Sequence, residues 1–119
     1  MTTAAIHLIL PYPPSVNTYW GFHGHRRFLT KQAVKFKQLV ANTFLSSGQQ
    51  GLGDARLSII IRLSPPDRRK RDIDNVIKGL LDALCQAGIF VDDEQFDEVH
   101  IHRASIKKGG ECEICIAKL

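Results

Sequence analysis

From Ile73 onward the apolar residues Ile73, Val76, Ile77, Leu80, Leu81 and Leu84 recur at i, i+3, i+4, i+7, i+8 and i+11. This is the repeat of one face of an α-helix and fits no strand, in which side chains alternate every second residue. Gly88 stands where the left-handed residue past the end of such a helix is expected. A helix with a single apolar stripe has to bury it, so the remaining chain must supply an apolar layer to receive it.

That layer is legible as strands. Residues 4 to 10, AAIHLIL, form an apolar run stopped by Pro11, Pro13 and Pro14. Ala55 to Leu63, with β-branched Ile59 to Ile61, predicts a central strand ended by Pro65 and Pro66. Val99 to Ile106 and Cys112 to Ala117 predict two strands joined as a hairpin through Lys107, Lys108, Gly109 and Gly110, whose glycines permit positive φ. Thr30 can cap a second helix from Lys31 to about Ser46, with Val34, Leu39, Phe44 and Leu45, flanked by Ala33, Phe36, Val40 and Ala41, as its apolar side.

The order is βαβαββ, with room for small extra strands. It predicts an α/β (α+β) fold in which two helices pack on one mixed sheet. At 119 residues, 44% apolar and 24% charged, the chain is expected to form a single domain over residues 1–119 and not a disordered or fibrous segment.

The charge points to a polyanion. The net charge is +4 and the pI about 9.2. The excess is bunched at Arg26, Arg27, Lys31, Lys35 and Lys37, at Arg68 to Arg71, and at Lys107 and Lys108. Nucleic acid is the leading partner class, an acidic membrane surface the second, and mere solubility the bland alternative. The opening MTTAAIHLILPYPP has no basic leader and its apolar run is too short to span a bilayer, which predicts a cytoplasmic protein without a membrane partner. Cys85, Cys112 and Cys115 are few and odd in number, as in a reducing compartment. The spacing of Cys112 and Cys115 on an expected strand puts them on opposite faces, so no zinc or redox role is expected.

Residues 67 to 75, DRRKRDIDN, set four cations directly before Asp72 and Asp74. Aspartates at a helix start can simply cap it and complement its dipole, and Asp74 with Lys78 has the spacing of a common surface pair. That reading leaves unexplained the preceding cations and a third acidic group, Asp92, Asp93 and Glu94, placed after the helix. A helix of about fifteen residues spans about 22 Å, whereas Ile89 to Asp93 extends only about 17 Å. Helix tilt therefore decides whether the acidic turn reaches Asp72, and extended geometry does not choose between Asp92 and Asp93. Convergent carboxylates would need a counter-ion, for which Mg²⁺ or Mn²⁺ is suited, and the cations would hold phosphates beside it. Lys78 would then steady the attacking water or the charge on the transition state. An EF-hand is excluded because Ile77 and Ala83 stand where it needs glycine and glutamate.

The stretches PPSVNTYW and PPDRRKRDIDNVIKGLLDALCQAGIFVDDEQF resemble the RusA family of Holliday junction resolvases, from about Pro11 to the Lys107–Gly110 turn. The resemblance implies a RusA-like fold and a homodimeric, Mg²⁺-dependent endonuclease that makes paired nicks in four-way DNA junctions. It places the metal-binding carboxylates at Asp72, Asp74 and Asp93, with Asp92 not favoured, and the functional lysine at Lys78. Branched DNA and a second copy of the chain are the expected partners, with no small-molecule substrate.

Arg68, Arg69, Lys70, Arg71, Asn75, Arg26 and Arg27 are the expected DNA contacts, with Lys31 and Lys35 extending the track or facing solvent. Tyr19, Trp20 and Phe22 suit stacking on unpaired bases, or else closing the core or packing against a partner subunit. The pairs His23 and His25, and His100 and His102, more simply line a solvated face than bind a metal. A non-catalytic junction-binding protein and a nicking nuclease without junction selectivity are the alternative readings.

Overall fold

The computed structural model describes residues 5–119; the opening MTTA, including Ala4 of the expected first strand, lies outside them. In chain order the elements are β1 (Ala5–Leu10), α1 (Val16–Tyr19), β2 (Trp20–His23), β3 (Arg26–Leu29), α2 (Lys31–Ser47), β4 (Leu57–Ser64), α3 (Ile77–Gln86), β5 (Phe96–Arg103) and β6 (Glu111–Lys118). Two 3-10 turns, Ile73–Val76 and Asp93–Gln95, precede α3 and β5. The α+β class and mixed sheet are as expected, with two long helices, the single turn α1, and the ribbon β2–β3 as the small extra strands.

Alternation decides which face of the sheet is buried. Leu57, Ile59, Ile61 and Leu63 of β4 are fully buried, and Ile60 between them is 44% exposed. Ile6, Leu8 and Leu10 of β1 and Cys112, Ile114 and Ile116 of β6 extend the same buried face. Leu80, Leu81, Ala83 and Leu84 of α3, with Phe36 and Val40 of α2, complete one hydrophobic cluster. Each such Leu or Ile contributes about 2 kcal/mol by leaving water.

The strand order is β1-β6-β4-β5; β4 is antiparallel to β6 and parallel to β5. The parallel pair needs a long crossover, which α3 provides. The expected hairpin of the last two strands is corrected here, because β4 lies between β5 and β6. β4 alone carries four fully buried side chains and takes the central place, whereas β5 is exposed along most of its length and is left at the edge. The connection runs past the end of β4, where Ala104 N–H donates to Leu63 O at 2.7 Å and Lys107 N–H to Pro65 O at 2.9 Å. Gly109 and Gly110 do take positive φ (84° and 76°), but they close a turn within this crossover.

Thr30 caps α2 as expected, its hydroxyl accepting from Ala33 N–H at 3.2 Å. The buried side of α2 is narrower than the expected stripe: Ala33, Phe36 and Val40 are buried, whereas Val34, Leu39 and Leu45 are exposed, Leu45 to 80%. A helix lying over a four-stranded sheet presents one line of residues to it, and the flanking positions reach solvent. The α3 segment ends as expected, with Gly88 at φ 87°.

Candidate active site

Asp72 sits at the N-cap position of the 3-10 turn, yet its side chain makes no capping hydrogen bond. The capping explanation therefore leaves its carboxylate unaccounted for, while Asp74 stands exposed in the following turn. Because the helix opens as a 3-10 turn, Asp74 and Lys78 do not form the expected surface pair. Lys78 Nζ instead lies 3.2 Å from Asp93 Oδ2 and 3.5 Å from Asp82 Oδ1. The hydrogen bond to Asp93 foremost, and then the charge of Asp82, raise the pKa of Lys78 and keep it an ammonium.

The two neighbouring aspartates, between which extended geometry could not choose, have different tasks. Asp92 caps the second 3-10 turn, Oδ1 accepting from Glu94 N–H at 2.9 Å, and this bond lowers its pKa. Asp93 turns to Lys78. The turn is pinned from below by Gln95, which is 4% exposed. Its Oε1 accepts from Val91 and Asp92 N–H, and its Nε2 donates to Gly53 and Ala55 carbonyls, each at 2.8 Å. Sequence reasoning missed both Gln95 and Asp82. A glutamine after an acidic turn carries no signal of burial, but the i, i+4 spacing of Lys78 and Asp82 was available.

The cations before Asp72 do not act alike. Arg71 is tied to Asp67 at 2.7 Å and faces the Tyr12 ring at 5.9 Å; Arg69 reaches Asp67 at 3.3 Å. The Arg71 guanidinium holds the Asp67 carboxyl well below the usual carboxylate range. Arg68 and Lys70 are exposed, and among the described residues neither forms an ion pair. A groove of about 610 Å³ brings Lys70, Asp72 and Asn75 together with Asn17 of α1. A second of about 460 Å³ runs from Arg68 past Asp72 to Arg103. Arg26 and Arg27 lie exposed on β3, and Lys31 and Lys35 on α2.

The aromatic trio divides. Tyr19 is buried, 1% exposed, with its hydroxyl unpartnered among the described residues and its pKa pushed up to about 12 by burial. Phe22 is 70% exposed. His100 and His102 are exposed on β5 and His23 and His25 on the ribbon. Cys112 is buried in the core, which pushes its thiol up to about 12, and Cys115 points to the other face of β6. The Cys85 thiol donates to Val91 O at 3.2 Å, and burial raises its pKa.

Among the described residues, no three His, Cys, Asp or Glu side chains stand close enough together to hold a metal ion. The acidic turn reaches the helix at Lys78, and that ammonium neutralises Asp93. The donors around it are nonetheless carboxylate oxygens, and the Asp72 carboxylate is unspent in capping. This chemistry fits a hard divalent cation better than a softer metal that prefers imidazole or thiolate.

The chain belongs to the family described as endodeoxyribonuclease RusA, whose model matches residues 11–117. Nucleases of this family are metal-dependent. The chain is 39% identical over 111 residues to the crossover junction endodeoxyribonuclease of Enterobacteria phage HK97, covering 93% of this chain and 92% of that protein. It is 32% identical over 114 residues to the crossover junction endodeoxyribonuclease of Enterobacteria phage 82, covering 95% and 94%. A protein of the same description from Escherichia coli strain K12 is 32% identical over 113 residues, covering 94% and 93%. These relatives are, by name, hydrolases of DNA phosphodiester bonds. Among the described residues, no helix is long and apolar enough to cross a membrane.

Proposed function

We propose that this chain resolves four-way (Holliday) DNA junctions in the cytoplasm by paired, symmetric cuts, using Mg²⁺, for which Mn²⁺ can substitute. The carrying observation is that Lys78 holds Asp93 at 3.2 Å across 15 residues of sequence, on the helix whose uncapped Asp72 opens onto a cationic groove. Asp72, Asp74 and Asp93, which the structure does not gather around one point, would hold the ion once their side chains turn toward it. When bound there, a divalent cation polarises a phosphate oxygen and lowers the pKa of water.

The chain's own residues do the rest. Arg68, Lys70 and Asn75, with Arg69 and Arg71 shaping the loop, seat the DNA backbone beside Asp72. Lys78 has a second carboxylate, Asp82, so its ammonium stays at the site when Asp93 takes another partner, where it offsets negative charge developing on the phosphate. Arg26 and Arg27 extend the cationic surface. One acidic site cuts one strand, and two symmetric cuts need two sites related by a two-fold axis, which supports a homodimer.

Labelled four-way and linear duplex DNA, incubated with Mg²⁺ or with chelator, tests this reading. Paired nicks are expected only in the junction and only with metal. Asp72→Asn should bind the junction as the unaltered chain does and no longer cut it. DNA left intact in every lane would point to a non-catalytic binding protein, and cutting of the linear control to an unselective nickase. Loss of binding together with cutting in Asp72→Asn would remove the metal role.

A further inference from the structure

We propose that the ribbon β2–β3 is an arm that places Phe22 against bases at the open centre of branched DNA. The inference rests on the reading that branched DNA is the substrate, and it names what on this chain recognises the branch.

The ribbon has two unlike faces. Cross-strand register sets Trp20 opposite Leu29 and Phe22 opposite Arg27 on one face, and Gly21 opposite Phe28 and His23 opposite Arg26 on the other. On the first face the Arg27 guanidinium lies 3.9 Å from the centre of the Trp20 ring, and Trp20 in turn meets Tyr19 edge-on at 5.6 Å. The layers Tyr19, Trp20 and Arg27 thus satisfy one another. Phe22, 70% exposed, lies beyond them, toward the tip of the ribbon. So much of an aromatic ring left in water adds little to the fold and leaves its faces available to a partner.

The foot of the arm is fixed to the candidate active site. Tyr19 packs on Gly79, the residue after Lys78, so closely that a Cβ there would stand 2.7 Å from the ring. Thr30 N–H donates to Tyr19 O at 3.1 Å and closes the base of the ribbon.

Charge selects the occupant. The sequence holds no Asp or Glu before Asp54, while Arg26, Arg27, Lys31, Lys35 and Lys37 all lie in this part. A surface of one sign repels a second copy of itself and attracts a polyanion. Among DNA forms, a linear duplex keeps its bases stacked and makes an inserted ring pay for unstacking. At a branch point stacking is already interrupted, and each base face can take an aromatic partner.

The test compares binding of the full chain and of Phe22→Ala to a four-way junction and to a linear duplex of the same arm sequence, in chelator. Phe22→Ala is expected to lose roughly tenfold in junction affinity, as one base–aromatic stack predicts, with duplex binding and thermal melting unchanged. Phe22→Trp should restore the affinity, and 2-aminopurine at the branch should change fluorescence with the unaltered chain and with Phe22→Trp only. An unchanged junction-to-duplex ratio in Phe22→Ala overturns the proposal while leaving the nuclease reading intact. So do equal losses on both DNAs, or a changed sedimentation state, which would assign Phe22 to a subunit contact. No junction preference in the unaltered chain would bring down both readings.

Discussion

Gln95 shows how much one buried side chain can set. The identity of its two amide atoms is fixed by its partners, two N–H groups on one side and two carbonyls on the other. It ties the acidic turn to the loop that follows α2, and Asp93 rides on that turn. Gln95→Leu keeps the volume and strands four backbone groups, each of which costs on the order of 1 kcal/mol or more when buried unpaired. We expect a loss of roughly 3 kcal/mol in urea denaturation, within the range of a disrupted buried polar network, with an unchanged m-value. Cutting should also fall, because Asp93 loses its support. A loss below about 1 kcal/mol would mean that water replaces the amide at low cost. At residue scale the spacing of Asp92 and Gln95 fits a capping box, which the structure forms, but nothing in it announced that the glutamine is buried. The assignment of Asp92 to capping and Asp93 to Lys78 likewise needed the 3-10 turn, whose tight geometry decides which carboxylate faces inward.

At the scale of elements, the contact between Tyr19 and Gly79 joins the aromatic ribbon to α3. Alanine at position 79 improves helix propensity by about 1 kcal/mol, but overpacking against a ring that cannot retreat costs about 1–3 kcal/mol. Gly79→Ala alone is therefore expected to destabilise by about 1 kcal/mol, the difference between those two effects. Combined with Tyr19→Val, which removes the ring, the same change should become neutral or stabilising. A double-mutant cycle measures this as a coupling of at least about 1 kcal/mol; additive effects would show that the two residues do not press on each other. The alternation of Leu57, Ile59, Ile61 and Leu63 and the stripe from Ile73 to Leu84 were readable because burial on one face imposes a period on the sequence. Which strands pair was not. Gly109 and Gly110 carry the same turn chemistry in a crossover as in a hairpin, and only the competition for the central place, won by β4, separates the two. Leu45 and the 3-10 opening of the Ile73 helix escaped for a related reason: apolar character marks what can be buried, and the neighbouring elements decide what is.

For the whole molecule, the ordering of charge along the chain outweighs the net +4. All 12 acidic residues occur from Asp54 onward, so the N-terminal part, with the ribbon and α2, is wholly cationic, and the acidic cluster stands on the later part. DNA held across both meets cations that are free and cations already neutralised. Arg68 and Lys70 are exposed without an acidic partner among the described residues, whereas the Arg71 guanidinium is bound to Asp67 at 2.7 Å and is largely withdrawn from solvent. A free cation that meets a phosphate releases a counter-ion, so each lost contact should flatten the plot of log affinity against log salt by about 0.9. Arg68→Ala and Lys70→Ala are each expected to do so on a four-way junction between roughly 50 and 200 mM salt, the interval over which such contacts weaken most visibly. Arg71→Ala should change the slope much less, because its charge is compensated before DNA arrives, and should instead loosen the loop that Asp67 folds around it. Equal slopes for Arg68→Ala and Arg71→Ala would show that DNA displaces Asp67. The basic run would then act as one patch, against the division of roles that the ion pairs imply.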